Sequence, residues 1–257
     1  MKIYICTDLE GATGVYKWSQ TRPHEAEFAS AMRLLMGDVA AVCEGLKSAG
    51  VDEIFVVDGH NGGNNFIPEC MVPGVRYITG WPRQGNVLSG LDETFDGFIM
   101  VGYHAMNGTP DAVLHHTQSS VIEAKYYYDG VERGEIYQCA VIAGHYDVPV
   151  ILVTGDEAAC KEARQLLGEN LPTVAVKKGI SREAAILLSP EETRLMLIEG
   201  AKKAIEMRSQ LKPLKVKLPV KLRIKRLGPE GATLENPYFG EKEVEVRSAL
   251  DIISGSI

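Results

Sequence analysis

The chain has 257 residues, 45% hydrophobic and 24% charged, the balance of a globular protein long enough to bury a large α/β core. Its formal net charge of −7 and isoelectric point of about 5.5 argue against nucleic acid or an anionic membrane as partner, because an acidic surface is repelled by both.

The opening MKIYICTDLEG is interrupted by Asp8 and Glu10 and lacks the apolar run of a signal peptide. No stretch approaches the roughly 18 apolar residues of a membrane helix. Five cysteines (Cys6, Cys43, Cys70, Cys139, Cys160) are scattered, odd in number and without a CxxC pair. They are expected to be buried free thiols in a reducing cytoplasm, not a disulfide framework or thiolate metal site.

Four apolar runs predict buried parallel strands: KIYICT (2–7), EIFVVD (53–58), GFIMVGY (97–103) and VPVILVTG (148–155). After the first, a helix is expected from about His24 to Ser48. Phe28, Met32, Leu35, Val39, Val42 and Leu46 form one stripe at helical period, and Gly50 is placed to end it. Pro110–Ser119 reads as a loop before the strand VIEAKYYY, and Glu135 opens a second helix running to about Gly144. A third helix begins at Ser189, with Pro190 at its first position and Glu192 completing a capping box. From Lys212 the period changes to two: Leu214, Val216, Leu218, Val220, Leu222 and Ile224 alternate with polar residues, as does EVEV at 243–246. The seven basic residues between Lys212 and Arg226 fit the solvated face of a strand. The expected architecture is α/β, a mostly parallel sheet with flanking helices in residues 1–211, plus a small β-rich C-terminal subdomain in residues 212–257.

Open parallel sheets place their sites beyond the carboxyl ends of the strands. The residues at the ends of three expected strands are chemically consistent: Thr7-Asp8-Leu9-Glu10-Gly11, then Asp58-Gly59-His60, then Tyr103-His104. Asp8 and Glu10, two apart, point the same way in extended chain, and carboxylates that converge repel unless a cation or protons lie between them. Glu135, after Arg133-Gly134, can complete the set. Singly, each residue has a plain structural reading: a turn-forming Asp, a satisfied His, a first-turn helix Glu. Their coincidence at neighbouring strand ends favours a metal centre, and mixed His and carboxylate ligands suit zinc, with manganese or cobalt as substitutes. His115 and His116 are adjacent, so in extended chain only one faces a shared site, and spacing does not choose between them. His24 and His145 are assigned structural roles. Asp58 is a candidate to hold His60 in one tautomer. A rival reading takes GHNGG (59–63) as a phosphate loop. It lacks both GxGxxG and GxxxxGK[ST], and acidic residues crowd it.

Asp8-Leu9-Glu10-Gly11, Asp58-Gly59-His60, Gly102-Tyr103-His104-Ala105, a downstream His-Thr and Gly134-Glu135 occur in an order that resembles the D-aminopeptidase family of binuclear zinc peptidases. GLDETFDG (90–97) and AGHYDVPVILVTGD (143–156) support the resemblance, which spans roughly residues 1 to 248. It implies a metal-dependent hydrolase, an aminopeptidase that removes an N-terminal residue, expected to be a D-amino acid, from short peptides. It further implies two zinc ions per chain on Asp8, Glu10, His60, His104 and Glu135. His116, which precedes Thr117, is implied as the catalytic histidine in preference to His115. Asp8, first at its strand end, is assigned the bridging position. A cytoplasmic, ring-like homo-oligomer is expected. The alternatives are a metal-dependent amidase or esterase, or a non-catalytic nucleotide-binding or structural module.

Overall fold

A computed structural model describes residues 1–228 and 239–253 of the chain. The strands of its main sheet are β1 (Lys2–Thr7), β2 (Glu53–Asp58), β3 (Arg76–Ile78), β4 (Gly97–Tyr103), β7 (Val150–Asp156), β8 (Thr173–Ser181) and β9 (Ala184–Leu187). They lie in the order β3-β2-β1-β4-β7-β8-β9. All pairings are parallel except that of β8 with β9. The four apolar runs form the contiguous centre β2-β1-β4-β7, and every residue of β4 and β7 is buried. Burial on both faces explains why these strands read as continuous apolar runs.

Alternate side chains of β1 enter two cores. Ile3 and Ile5 pack with α1 (Phe28–Ser48) and α4 (Pro190–Met207), whereas Tyr4 and Cys6 face the side carrying α2 (Glu135–His145) and α3 (Glu157–Leu167). Leu35, Val39, Val42 and Leu46 of the α1 stripe are buried, each stabilising the fold by about 1.5–3 kcal/mol. The helix starts at Phe28 and not at His24, whose φ of 76° lies in the left-handed region. α1 and α4 touch closely: a Cβ on Gly45 would lie 2.4 Å from the Ile198 carbonyl oxygen. α4 begins as its sequence requires, with Ser189 Oγ accepting from the Glu192 amide and Glu192 reaching back to the Ser189 amide.

A second, antiparallel sheet is built from β5 (Glu123–Tyr128), β6 (Val131–Glu132), β10 (Val220–Gly228) and β11 (Phe239–Val246), in the order β11-β10-β5-β6. The expected C-terminal strands therefore complete a sheet begun by residues 123–132, across the position expected to divide the chain at 211. Their alternation has the expected cause: Leu222 and Ile224 are buried, while Lys221 and Arg223 pair with Glu243 and Glu241. The strand starts at Val220 and not at Leu214. Pro219 has no amide to donate to a ladder, and residues 211–217 have no strand partner among the described residues. Leu211, Leu214 and Val216 instead pack on the core. The remaining C-terminal positions, 229–238 and 254–257, lie outside the described residues.

Ser189→Ala removes the side-chain half of the α4 capping box and leaves the amide of residue 189 to donate to Glu192. Unfolding monitored by circular dichroism is expected to show a loss of about 1 kcal/mol with no change of fold.

Candidate metal centre

The chain leaves β1 to form β2 on one side and later forms β4 on the other, so the strand order reverses between the parallel neighbours β1 and β4, where open α/β sheets bind ligands. The loops there are bolted together by main-chain bonds. The amides of Asp8, Gly11 and Gly59 donate to the carbonyls of Val101, Gly102 and Thr7, at 2.8, 2.7 and 3.0 Å. Gly102, at φ 75°, sits where the register of β4 on β7 shifts, and a Cβ there would stand 2.3 Å from the Asp8 carbonyl oxygen. Only glycine lets β1 and β4 approach this closely while His104 turns inward.

The structure brings Asp8, Glu10, His60, His104, Glu135 and His116 together. His60 Nδ1 lies 3.2 Å from Asp8 Oδ1 and 3.1 Å from Glu10 Oε2, and His104 Nε2 lies 3.3 Å from Asp8 Oδ2 and 3.5 Å from Glu135 Oε1. Asp8 thus presents a different oxygen to each imidazole. His104, His116 and Glu135 form one cluster of potential ligand atoms within 4.8 Å, and Asp8, Glu10 and His104 another.

Each histidine is turned by a main-chain carbonyl. His60 Nε2–H donates to Thr21 O (2.8 Å), His104 Nδ1–H to Ala105 O (2.9 Å) and His116 Nδ1–H to Leu114 O (2.9 Å). A carbonyl can only accept, so these bonds fix which nitrogen carries hydrogen and leave the other facing the carboxylates. Among the described residues, Glu10 Oε2 and His104 Nε2 are buried without a hydrogen-bond partner, although each has an opposite-type group within 3.5 Å. They are close but misaligned, as donors converging on a third centre must be. Ligands held about 2.0–2.2 Å from a four-coordinate ion stand roughly 3.3–3.6 Å apart, close to the spacings seen. The residues therefore fit a divalent metal.

Protonation follows the same logic. Burial works against charge on His104, but Asp8 and Glu135 outweigh it and lift its pKa to about 10. His60 is likewise held well above the usual range by Glu10 and Asp8, against burial. Burial pushes Glu135 up to about 7, opposed by His104 and reinforced by Asp8. In the metal-free protein a proton takes the place that a metal would claim. His116 is the exception: burial, then the neighbouring His104 ring, drives it well below the normal range. It stacks on His104 at 4.0 Å, with Nε2 3.9 Å from Glu135 Oε1 and the Trp18 ring edge-on at 5.6 Å.

His115 faces elsewhere, its Nδ1 accepting from the Gly108 amide at 3.0 Å and its carbonyl from Arg182. Asp58 does not touch the His60 ring. It accepts from the amide and side chain of Asn65, both at 2.7 Å, and Asn65 in turn donates to the His60 carbonyl. The tautomer role expected of Asp58 thus belongs to Thr21 O, and Asp58 shapes the loop. GHNGG is no phosphate cradle, since it delivers His60 to a group of carboxylates.

The D-aminopeptidase peptidase family matches residues 1–247 of this chain. The chain belongs to that family. It is 36% identical over 221 residues to the D-aminopeptidase of Bacillus subtilis strain 168, covering 83% of this chain and 77% of the relative. It also superposes, with a TM-score of 0.89 and 28% identity, on a solved structure described as the zinc-dependent D-aminopeptidase DppA from Bacillus subtilis, a self-compartmentalizing protease. That likeness covers 98% of this chain and 94% of the other.

Several residues that build this family member's site escape a reading by spacing. Glu10 is in a turn and not in extended chain, so its convergence with Asp8 has another cause. Lys177 of β8, 2% exposed, donates to the carbonyls of Glu10 and Ala12, both at 2.7 Å, while Asp38 of α1 accepts from the Thr13 amide at 2.8 Å. Burial pushes Lys177 down to about 8, with Asp156 and Asp38 opposing, and pushes Asp38 up to about 6. Each has a signal in the sequence: a lysine inside the apolar run TVAVKKG, and an aspartate on the buried stripe of a helix. Gln118 holds Glu135, its amide donating to Oε1 at 2.6 Å. Behind it runs a chain of hydrogen bonds in which Gln118 donates to Gln138, Gln138 to the Tyr128 hydroxyl, and Tyr128 to the Ile252 carbonyl.

Lys177→Met leaves two buried carbonyls without their charged donor. Stability is expected to fall by about 1.5–3 kcal/mol, read as a melting temperature lower by about 3–12 °C. An unchanged melting temperature would show that the lysine does not hold the Glu10 turn.

Proposed function

We propose that the protein is a zinc aminopeptidase that removes an N-terminal D-amino acid from short peptides. In this reading Asp8, Glu10, His60, His104 and Glu135 hold two zinc ions and His116 is the catalytic side chain. The observation that carries it is the pair of orphaned buried ligand atoms, Glu10 Oε2 and His104 Nε2, among carboxylates and imidazoles at metal-ligand spacing, in a member of the D-aminopeptidase family. The zinc dependence and D-specificity of the DppA relative support extending both to this chain.

Bound zinc supplies Lewis acidity toward a peptide carbonyl and lowers the pKa of a bound water toward about 7. The protein's own residues do the rest. Asp8, with one oxygen toward His60 and the other toward His104, would be the central carboxylate of the site, and Glu10, His60, His104 and Glu135 would supply the remaining ligands. His116 is anchored through Nδ1 and turns Nε2 toward Glu135 at the edge of the site, the position from which an imidazole accepts a proton and returns it. The Trp18 ring packs edge-on against that imidazole.

DppA is described as self-compartmentalizing, and we extend a homo-oligomeric state to this chain. Ile186 and Leu187 on edge strand β9 and Leu195 and Met196 on α4 are exposed apolar side chains available to a second copy. No helix among the described residues is long and apolar enough to cross a membrane. The five cysteines are free, which suits a reducing compartment, and we place the protein in the cytoplasm.

Purified protein is expected to carry about two zinc equivalents per chain, and Asp8→Ala to retain clearly less by elemental analysis. Metal-free protein that zinc, manganese or cobalt cannot activate would overturn the site. His116→Ala should keep its zinc and lose about 10²-fold or more in kcat, while His115→Ala loses less than about tenfold. The reverse order would transfer the role to His115. Among substrates, D-Ala-Gly-Gly should be cleaved in preference to L-Ala-Gly-Gly, and its N-acetylated form not at all. Equal cleavage of the acetylated peptide would exclude an aminopeptidase.

A further inference from the structure

Two cavities meet at the ligands, sharing Asp8, Gly59, Asn61, Gln118 and Glu135 as walls. One, of about 200 Å³, is walled by Glu10, His60 and His116. The other, of about 900 Å³, extends from the Asp8–Glu135 edge past Trp81, Arg83 and Asn86 to Leu250 and Ile253. An aminopeptidase holds a single residue on the amino side of the bond it cuts and the remainder of the peptide on the other side. The small polar cavity matches the first requirement and the large one the second.

Arg83 is the one cation among the described residues that line the large cavity. Its Nη1 donates to the Asp58 carbonyl at 2.7 Å, and its Nε is buried with no partner. No carboxylate of the described residues pairs with it, whereas Arg182, whose Nε is likewise buried without a partner, is neutralised by Glu123. A guanidinium presents five donors in a fork that matches a carboxylate, and a buried donor without an acceptor is costly. Asp58, to which Arg83 is tied, lies opposite Thr7 in the sheet and two residues before His60. The unpaired charge therefore stands beside the ligand loops, on the side where the rest of the substrate must lie.

We propose that Arg83 binds the C-terminal carboxylate of the substrate, making the enzyme selective for short peptides with a free carboxyl terminus. This rests on the aminopeptidase reading of the metal centre. A cavity of about 900 Å³ holds only a few residues, so the carboxylate of a di- or tripeptide falls within it while that of a long chain does not.

The test compares kcat/KM for D-Ala-Gly-Gly and D-Ala-Gly-Gly amide on zinc-loaded wild type, Arg83→Gln and Arg83→Lys, with zinc content and melting temperature measured on each. Wild type is expected to prefer the free acid by about ten- to hundredfold, chiefly through KM. Arg83→Gln, which keeps an N–H donor for the Asp58 carbonyl, should bring the acid-to-amide ratio near one, and Arg83→Lys should restore part of it. Equal use of acid and amide by wild type overturns the proposal, whether or not a variant folds. So does an Arg83→Gln that loses both activities in the same proportion, which would reduce Arg83 to a prop for Asp58. Failure of wild type to cleave either peptide overturns the aminopeptidase reading itself, and this assignment with it.

Discussion

Asp8, Glu10 and Glu135 converge at the largely buried floor of the two cavities, and their negative charge must be balanced locally. In a low-dielectric interior the mutual repulsion of carboxylates is strong, and the fold meets it with imidazoles placed within 3.1–3.5 Å. Such a cluster is stable only with positive charge inside it. Protons on His60 and His104 supply that charge in the metal-free state, as the raised pKa values of both record.

The rest of the structure can be understood as the means of holding this cluster still. Buried polar networks help only when every member is satisfied, and here the satisfaction comes mostly from main chain. Three carbonyls orient three histidines, a buried lysine clamps the Glu10 turn, and Gly102 lets the β1 and β4 loops close on each other. Glu10 Oε2 and His104 Nε2, left without partners at the centre, are both candidate ligand atoms. Rigid supports around uncommitted inner donor atoms are what preorganised metal binding requires.

Much of this is legible in the sequence because burial leaves a strong periodic mark. The apolar runs locate β1, β2, β4 and β7, and the rule that sites lie beyond strand ends locates Asp8, Glu10, His60 and His104. The capping residues around Ser189 locate the start of α4. The short strands β3 and β9 and the longer β8 leave weaker marks, since their faces mix exposed and partly buried positions. The Glu10 turn differs from the extended chain that spacing suggests because its geometry depends on Lys177, 167 residues away. Spacing does not choose between His115 and His116. The structure turns only His116 toward the cluster, through bonds from Val113 to Asp156 and from Leu114 to Arg182, contacts that no local pattern encodes.

The hydrogen-bond chain from Gln118 to Ile252 has a consequence for the order in which the protein is made. All the proposed ligands have left the ribosome soon after Glu135, but the Tyr128 hydroxyl at the base of the Gln138–Gln118 support waits for a carbonyl 124 residues further on. The β5 edge likewise waits for β10. At synthesis rates of about 5–20 residues per second, that interval lasts on the order of 10 s. During it a divalent cation can meet the ligands but not their finished scaffold. The finished support of Glu135 therefore waits for Ile252, made long after every proposed ligand.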